Sequence, residues 1–485
     1  MSTSGRFPVQ SFVSLTQVEF CTAYYSRSFQ RPQHKDIQQV LKFYQNHHAS
    51  NTVNPKMDLP SSTTSLSFIS GKKIIIVGAG ISGLTFAVAL HRLMPSSEQS
   101  PTFIPPSMAI YERDTKDLQP ARQGYSLSIR SDGRTGGLQT LQKLGLLDTA
   151  LNKSITGIQG KEKAGAFCFW DKRWGEILRA KIEPQKGLPV QGMRIARNVL
   201  RQTLVDAVVE NGVETVWETK LVGVEKLEGG RMRVVLEGGE TDECDLLIAA
   251  DGSGSKLRAV LRPDDVLEFQ KVVAIMGNSK FVDEPPPPAN KDWGLMLSGT
   301  GTGLFVSPID EHRVAWCISY LSPGPRAALK QPLGKQEADA LLEEALERGK
   351  EIPEPFRTYV EATDVDTLQM FNFFDKAPFE HYTGSLKGAN VVFLGDSNHA
   401  VTPFAGSGAC LALSDGWDLA EQLCKYEKLE DALKAYDKLS VSRAKGILRI
   451  SHFTIKYAHG KGWWIWVLVI GFKILFRLMM FFRRF

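Results

Sequence analysis

Cysteine is scarce: six in 485 residues, with no CxxC pair and no histidine beside them at metal-ligand spacing. That spacing excludes a compact zinc site and a disulfide scaffold, and reads as reduced thiols in a cytosolic protein. No acidic block and no repeat of about 20 to 50 residues is present, which excludes acidic tails and solenoids. With 43% hydrophobic and 23% charged residues, disorder of the whole chain is excluded too. The chain is also too long for one ordinary core, so two folded domains, or one large interleaved α/β unit with extensions, are expected.

Both ends lack the patterning of the middle. Residues 1 to 70 are rich in Ser, Thr, Gln and His and show no strand and helix alternation. They read as a flexible extension, with a faint transit-peptide character from Arg6, Arg27 and Arg31 against Glu19 alone before Lys35. Met57, shortly before the first strand, is an alternative start.

The net charge of +5 is matched by five cations after Gly460, namely Lys461, Lys473, Arg477, Arg483 and Arg484, with no acid among them. The remainder is nearly neutral, which argues against nucleic-acid binding and for a charged tail. That tail ends in WWIWVLVIGFKILFRLMMFFRRF (463 to 485), long enough to cross a bilayer but carrying Lys473 near its middle. Two central cations cost about 5 to 7 kcal/mol on an insertion scale, and a dozen large apolar side chains return about 4 to 7. On a helical wheel Lys473, Arg477 and Arg484 share an arc of roughly 40°. The pattern favours an interfacial helix on a membrane surface; a true span and a helix folded back on the body stay open.

What is present begins with KKIIIVGAGISGLTFAVAL (72 to 90). Gly78, Gly80 and Gly83 give GxGxxG between an apolar strand and a helix running to about Leu93. In such a motif the first glycine makes the turn, the second lets a pyrophosphate approach, and the third packs helix on strand. Glu112, about 29 residues beyond Gly83, ends the next strand and is placed to bind ribose hydroxyls. The usual interval is nearer 20, and a loop carrying Pro95, Pro101, Pro105 and Pro106 accounts for the excess. The motif alone does not choose between NAD and FAD.

Two further segments narrow the choice. CDLLIAADGSGSKLRAVL (244 to 261) is a strand ending at Asp251-Gly252 before a helix start with Ser255 and Arg258. NVVFLGDSNHAVTPFAGSGACLALSDGWDLAEQL (390 to 423) runs from strand to Gly395-Asp396, then through His399 and Pro403 to Gly406-Ser407-Gly408 opening a long helix. That helix N-terminus suits an anion.

The three motifs in this order resemble FAD-dependent monooxygenases of the para-hydroxybenzoate hydroxylase type, and most closely the tetracycline-inactivating flavin monooxygenases. The resemblance covers roughly residues 72 to 450. It implies that Glu112 binds the adenosine ribose, Arg113 lies along the adenine, Asp396 binds the ribityl chain, and Gly406 to Ala409, Gly408 included, face the flavin. It gives Arg197, in MRIARNVLRQTLVDAV, a cofactor contact, and makes Arg122 a candidate for flavin or nicotinamide contact. Cys410 stands where the family often has Asn, and Ser128 where the nearest relatives carry an acid. His399 reads as a structural residue, and no general base is nominated.

The resemblance implies an α/β fold, a Rossmann-like FAD-binding domain (71 to 150, 191 to 265 and 386 to 425) interleaved with a β-sheet substrate domain (151 to 190 and 266 to 385). A C-terminal helix (426 to 460) and the hydrophobic basic segment (461 to 485) follow. The substrate segments read as alternating strands: GAFCFW, KVVAIMGNSKFV, GLMLSG, GLFVSP and RVAWCISYL. Phe167, Phe169, Trp170, Met276, Leu295, Met296 and Phe305 are candidates to line an apolar pocket, half of them belonging to core because alternation sends neighbours to opposite faces.

By the same resemblance, NAD(P)H reduces FAD, O2 adds as a flavin C4a-hydroperoxide, and oxygen passes to the substrate. No separate nucleotide motif for NAD(P)H is visible. A lipophilic aromatic or polycyclic substrate is expected, hydroxylated or epoxidised by a protein attached to a membrane through its C-terminus, with its catalytic body in the cytosol. The cofactor motifs also fit a reductase or dehydrogenase of isoprenoid-like substrates and a membrane flavoprotein without turnover. The absence of a GWxWxIP signature speaks against a halogenase.

Overall fold

The computed structural model describes residues 67–96, 98–117, 126–131, 135–155, 165–180 and 184–462. The N-terminal extension and the segment 463 to 485 therefore lie outside the described residues. Among those described, no helix is long and apolar enough to cross a membrane, and the five cysteines Cys168, Cys244, Cys317, Cys410 and Cys424 are free thiols.

The apolar run at the first glycine motif forms β1 (Lys73–Val77), followed by α1 (Ile81–Leu93) and β2 (Ser107–Tyr111). Helix α2 (Arg197–Glu210) leads toward β3 (Leu246–Ala249). The sheet order is Val391–Phe393, β3, β1, β2, Glu214–Val216. Every pairing is parallel. Continuous apolar strands such as IIIV and LLIA suit this sheet because both faces are covered. Helix α3 (Gly408–Lys425) crosses α1 closely. A Cβ on Gly416 would lie 2.8 Å from the Phe86 nitrogen, so only glycine permits this crossing. The 30-residue α4 (Leu429–Ala458) then buries a stripe that includes Leu433, Tyr436, Ala444 and Ile447.

Two smaller sheets attach to this unit. Ser126–Arg130 pairs antiparallel with Gly192–Ala196. Leu221–Lys226, Met232–Leu236 and Thr241–Cys244 form a three-stranded sheet whose Met232, Val234 and Cys244 share a core with Ile75, Leu247 and Phe393.

The remaining sheet has seven strands, in the order Thr363–Asp375, Glu268–Lys280, Arg313–Leu321, Thr302–Pro308, Trp293–Leu297, Phe167–Asp171, Glu176–Ala180. All five alternating stretches of the sequence become strands in it. The region from 266 to 385 is not strand throughout, however. It also contains helices Lys335–Arg348 and Phe356–Glu361. Ala338, Leu341 and Ala345 recur at helical spacing and are buried, and the Glu337 carboxylate accepts the Gly334 N–H at 3.0 Å at the helix start.

These helices decide which half of the alternation is core. Trp170, Ile275, Met296, Leu304, Trp316 and Ile318 pack with Leu341, Phe356 and Tyr359. Phe167, Phe169, Met276, Leu295 and Phe305 therefore occupy the opposite face, and Trp170 and Met296 are removed from the pocket-lining candidates.

Candidate active site

The glycine motif forms the turn between β1 and α1, and its three glycines differ in what surrounds them. Gly78 has φ +107°, and a Cβ there would lie 2.4 Å from the Ala250 carbonyl oxygen. A Cβ on Gly83 would lie 2.3 Å from the Gly78 oxygen, so helix and strand could not close with any larger residue. A Cβ on Gly80 would meet nothing within 4 Å. The first and third glycines are thus steric requirements of the fold, and the second leaves open space beside the backbone. Glu112 follows β2 and is 8% exposed. Its carboxylate accepts the Ala79 N–H at 2.6 Å and the Asp114 N–H at 2.9 Å. Arg113 is exposed, with Nε 3.9 Å from Asp114 Oδ1.

Two carboxylates follow the neighbouring strands. Asp251, after β3, accepts the Leu257 N–H at 3.3 Å through Oδ2, and its Oδ1 is buried without a protein partner. Desolvation raises its pKa. Ser255 caps the next helix, its side chain accepting the Arg258 N–H at 2.9 Å. The buried Arg258 donates to Ser397 O at 2.8 Å and to Ser253 O at 2.5 Å, which ties the two loops together.

Asp396, after Val391–Phe393, is exposed, yet desolvation by the surrounding protein raises its pKa while His399 and Arg197 act in the opposite direction. Asp396 thus stands at the open carboxyl edge of the sheet with protein close around it. Arg197 opens α2 half-buried, its charge felt at Asp396. Arg122 lies outside the described residues.

The last element is the start of α3. Gly406 adopts φ +59° and a Cβ there would meet nothing within 4 Å, and the N–H groups of Gly408 and Ala409 have no acceptor within the helix. Arg130 shapes this turn by donating to Ser407 Oγ and, at 3.3 Å, to Ala405 O. The Cys410 thiol is buried, donating to Ser128 O at 3.5 Å and accepting the Arg130 N–H at 3.4 Å. It serves the strand Ser126–Arg130.

Behind the cleft lies a buried charge network. His399 Nε2 is 2.6 Å from Asp415 Oδ2, which also accepts the Gly395 N–H at 3.2 Å. Arg443 from α4 donates to Asp415 at 3.0 Å and to Asp418 at 2.6 Å. Burial alone would raise the Asp415 pKa; the charge and hydrogen bond of His399, followed by Arg443, bring it down to about 2. His399 is thereby a structural partner of the Asp396 loop.

Glu112, Gly80, Asp251 and Asp396 line the carboxyl edge of adjacent parallel strands, where open α/β sheets bind ligands. Three strand spacings place Glu112 and Asp396 about 14 Å apart. Open backbone lies between hydroxyl acceptors at the two ends, and the free α3 N–H groups lie beyond. Those groups fit an extended dinucleotide such as FAD: Glu112 toward a ribose, Gly80 toward the pyrophosphate, Asp396 toward the ribityl chain, and Gly408 with Ala409 toward the flavin.

The seven-stranded sheet turns its second face to these loops. Arg194, 3% exposed on Gly192–Ala196, has its guanidinium 5.9 Å from the Trp293 ring and 5.7 Å from the Phe305 ring. It also donates to Ser128 Oγ at 2.7 Å. Phe373 meets Phe404, of the turn before Gly406, edge-on at 5.4 Å.

The profile of the FAD binding domain family matches residues 72–451. The chain belongs to this family of FAD-dependent monooxygenases. A monooxygenase from Aspergillus candidus, cfoF, is 37% identical over 400 residues, which cover 81% of this chain and 92% of that protein. Among solved structures, Klebsiella pneumoniae HpxO in complex with FAD and uric acid superposes with a TM-score of 0.66 at 21% identity, covering 84% of this chain and 94% of that one. The tetracycline destructase Tet(51) gives a TM-score of 0.55 at 14% identity, covering 84% and 97%. This monooxygenase has an α/β fold and FAD as its cofactor.

Several of its site residues carry no recognisable motif. Arg194, Asp415 and Arg443 are charged side chains with little or no exposure. The available signal is faint: Asp415 and Asp418 sit three apart in the mostly apolar stretch of α3 before Glu421, and their partner is on the next helix.

Proposed function

We propose that this FAD-dependent enzyme uses NAD(P)H and O2 to hydroxylate or epoxidise a lipophilic aromatic or polycyclic small molecule. The observation that carries the substrate class is the aromatic and apolar sheet face formed by Phe167, Phe169, Leu295 and Phe305, on the side away from the covering helices, with Arg194 against Trp293 and Phe305. A face of this kind recognises a flat ring system by stacking and offers one cationic group for orientation. HpxO was solved with uric acid and Tet(51) is called a tetracycline destructase, both names of ring-system ligands.

Bound FAD supplies the oxygen-activating chemistry. The protein's share is placement. Asp396 and Glu112 accept hydroxyl hydrogens, Gly408 and Ala409 donate to the flavin edge, and Arg197 balances charge beside Asp396. The apolar sheet excludes water from the reacting faces. Oxygen uptake by full-length protein with NADPH or NADH, across a panel of lipophilic aromatic compounds, tests this reading. Substrate-stimulated uptake with an oxygenated product is expected. Tight FAD binding with no stimulation and no product from any ring compound would overturn the substrate class.

We further infer that the segment 463 to 485 holds the enzyme at a membrane surface, with the catalytic body in the cytosol. The clustered cations of its helical wheel support this. So does the point of departure: Lys461 bridges to Thr300, and the Gly462 N–H donates to Gly299 O at 3.1 Å, on the turn between two strands of the seven-stranded sheet. Detergent-free fractionation should find the full-length protein with membranes and a version ending at Gly462 in the supernatant. An unchanged distribution would refute it.

A further inference from the structure

Arg201 lies one turn beyond Arg197 on α2 and is 4% exposed. Its Nε donates to the Ala79 carbonyl at 2.9 Å and its Nη1 to Lys116 O at 3.0 Å, and its guanidinium stacks 5.0 Å from the Trp217 ring. Nη2 is buried without a hydrogen-bond partner. The group is an arginine held in the interior by carbonyl oxygens and one aromatic face. Desolvation lowers its pKa, and the nearby Glu112 carboxylate pulls the other way.

Ala79 is the middle residue of the Gly78-Ala79-Gly80 turn, and it is held from two sides. Its N–H goes to Glu112 Oε2 at 2.6 Å and its carbonyl to Arg201. In a trans peptide the carbonyl and the following N–H point in opposite directions. Fixing the Ala79 oxygen toward Arg201 therefore aims the Gly80 N–H away from α2, on the residue where an added Cβ would meet open space. We propose that Arg201 is a positioning residue for the pyrophosphate end of the cofactor: it orients the Ala79–Gly80 peptide so that the Gly80 N–H faces the dinucleotide. Glu112 sets the preceding peptide in the same way, so Arg201 and Glu112 act as a pair on either side of one residue.

This inference rests on FAD occupying the cleft, and its test separates the two claims. FAD and FMN affinities are measured by flavin fluorescence for full-length protein and for Arg201→Met and Arg201→Lys, with thermal melting of each. FMN lacks the adenosine half and its pyrophosphate link, so a defect confined to the glycine turn spares it. Arg201→Met is expected to bind FAD at least tenfold more weakly with FMN affinity within twofold of wild type, and Arg201→Lys, which keeps a donor, to recover part of the loss. Equal losses for FAD and FMN, or an unchanged FAD affinity in either folded variant, would overturn the proposal. Should Arg201→Met not fold, Arg201→Lys alone decides by the same FAD-to-FMN ratio. Failure of wild-type protein to bind FAD would instead overturn the cofactor assignment itself.

Discussion

The carboxyl edge of the parallel sheet and the seven-stranded sheet meet at one cleft but are built from different materials. At the parallel edge, backbone and charge do the work: glycines shape a turn, Glu112 and Asp396 follow strands three spacings apart, and His399, Asp415 and Arg443 brace the loop from behind. The seven-stranded sheet opposite is apolar, with one face sealed by helices and the other turned to the cleft. The contrast separates two tasks. A cofactor of fixed shape is held by groups in fixed positions, whereas a substrate is selected by surface character, which many side-chain sets can provide.

The contrast can be broken most severely at the brace. Asp415→Ala leaves Arg443 and His399 buried without their common carboxylate, and a loss of about 3–5 kcal/mol is expected in urea unfolding. Wild-type stability there would mean that the network is incidental to the cofactor loop. Two residues nine positions apart sharpen the other side. Met296→Ala opens a void under the helices and should cost about 2–5 kcal/mol. Phe305→Ala, on the cleft face, should lose much less stability and should raise KM for an aromatic substrate. Equal stability losses with unchanged KM would erase the distinction between the faces.

A smaller effect appears in acid. The Asp415 pKa is held at about 2 in the folded protein against the usual 3.8. A depressed carboxyl pKa contributes stability that is present above pH 3.8 and lost as pH falls toward 2, a contribution of about 2 kcal/mol. Acid unfolding followed by circular dichroism should show this slope in wild type, and Asp415→Asn should remove it.

How much of this was legible in the sequence follows the same division. Gly78 and Gly83 announce themselves because any Cβ would strike backbone, and Ser255 because a capping serine before an apolar helix has few other meanings. Glu112 and Asp396 are readable because each ends a strand of a recognisable unit. On the other sheet, alternation marks Trp170, Met296, Leu295 and Phe305 alike, and only the helices Lys335–Arg348 and Phe356–Glu361 reveal which pair faces the cleft. Asp415 and Arg443 are 28 residues apart and meet by the crossing of two helices, a relation that no local spacing encodes. Arg201 is hidden for a different reason: its partner is a carbonyl oxygen, and backbone atoms leave no signature in a sequence.

The central claim is that the parallel-sheet edge holds FAD through Asp396 at one end and Glu112 at the other. Its most direct measurement is the flavin affinity of purified Asp396→Ala beside wild type, with circular dichroism to establish that both are folded. Losing hydrogen bonds to a charged carboxylate, each about 1.5–3 kcal/mol, predicts that FAD binds wild type tightly and the variant roughly ten- to a hundredfold more weakly. A folded Asp396→Ala protein that retains FAD as tightly as wild type would contradict the account.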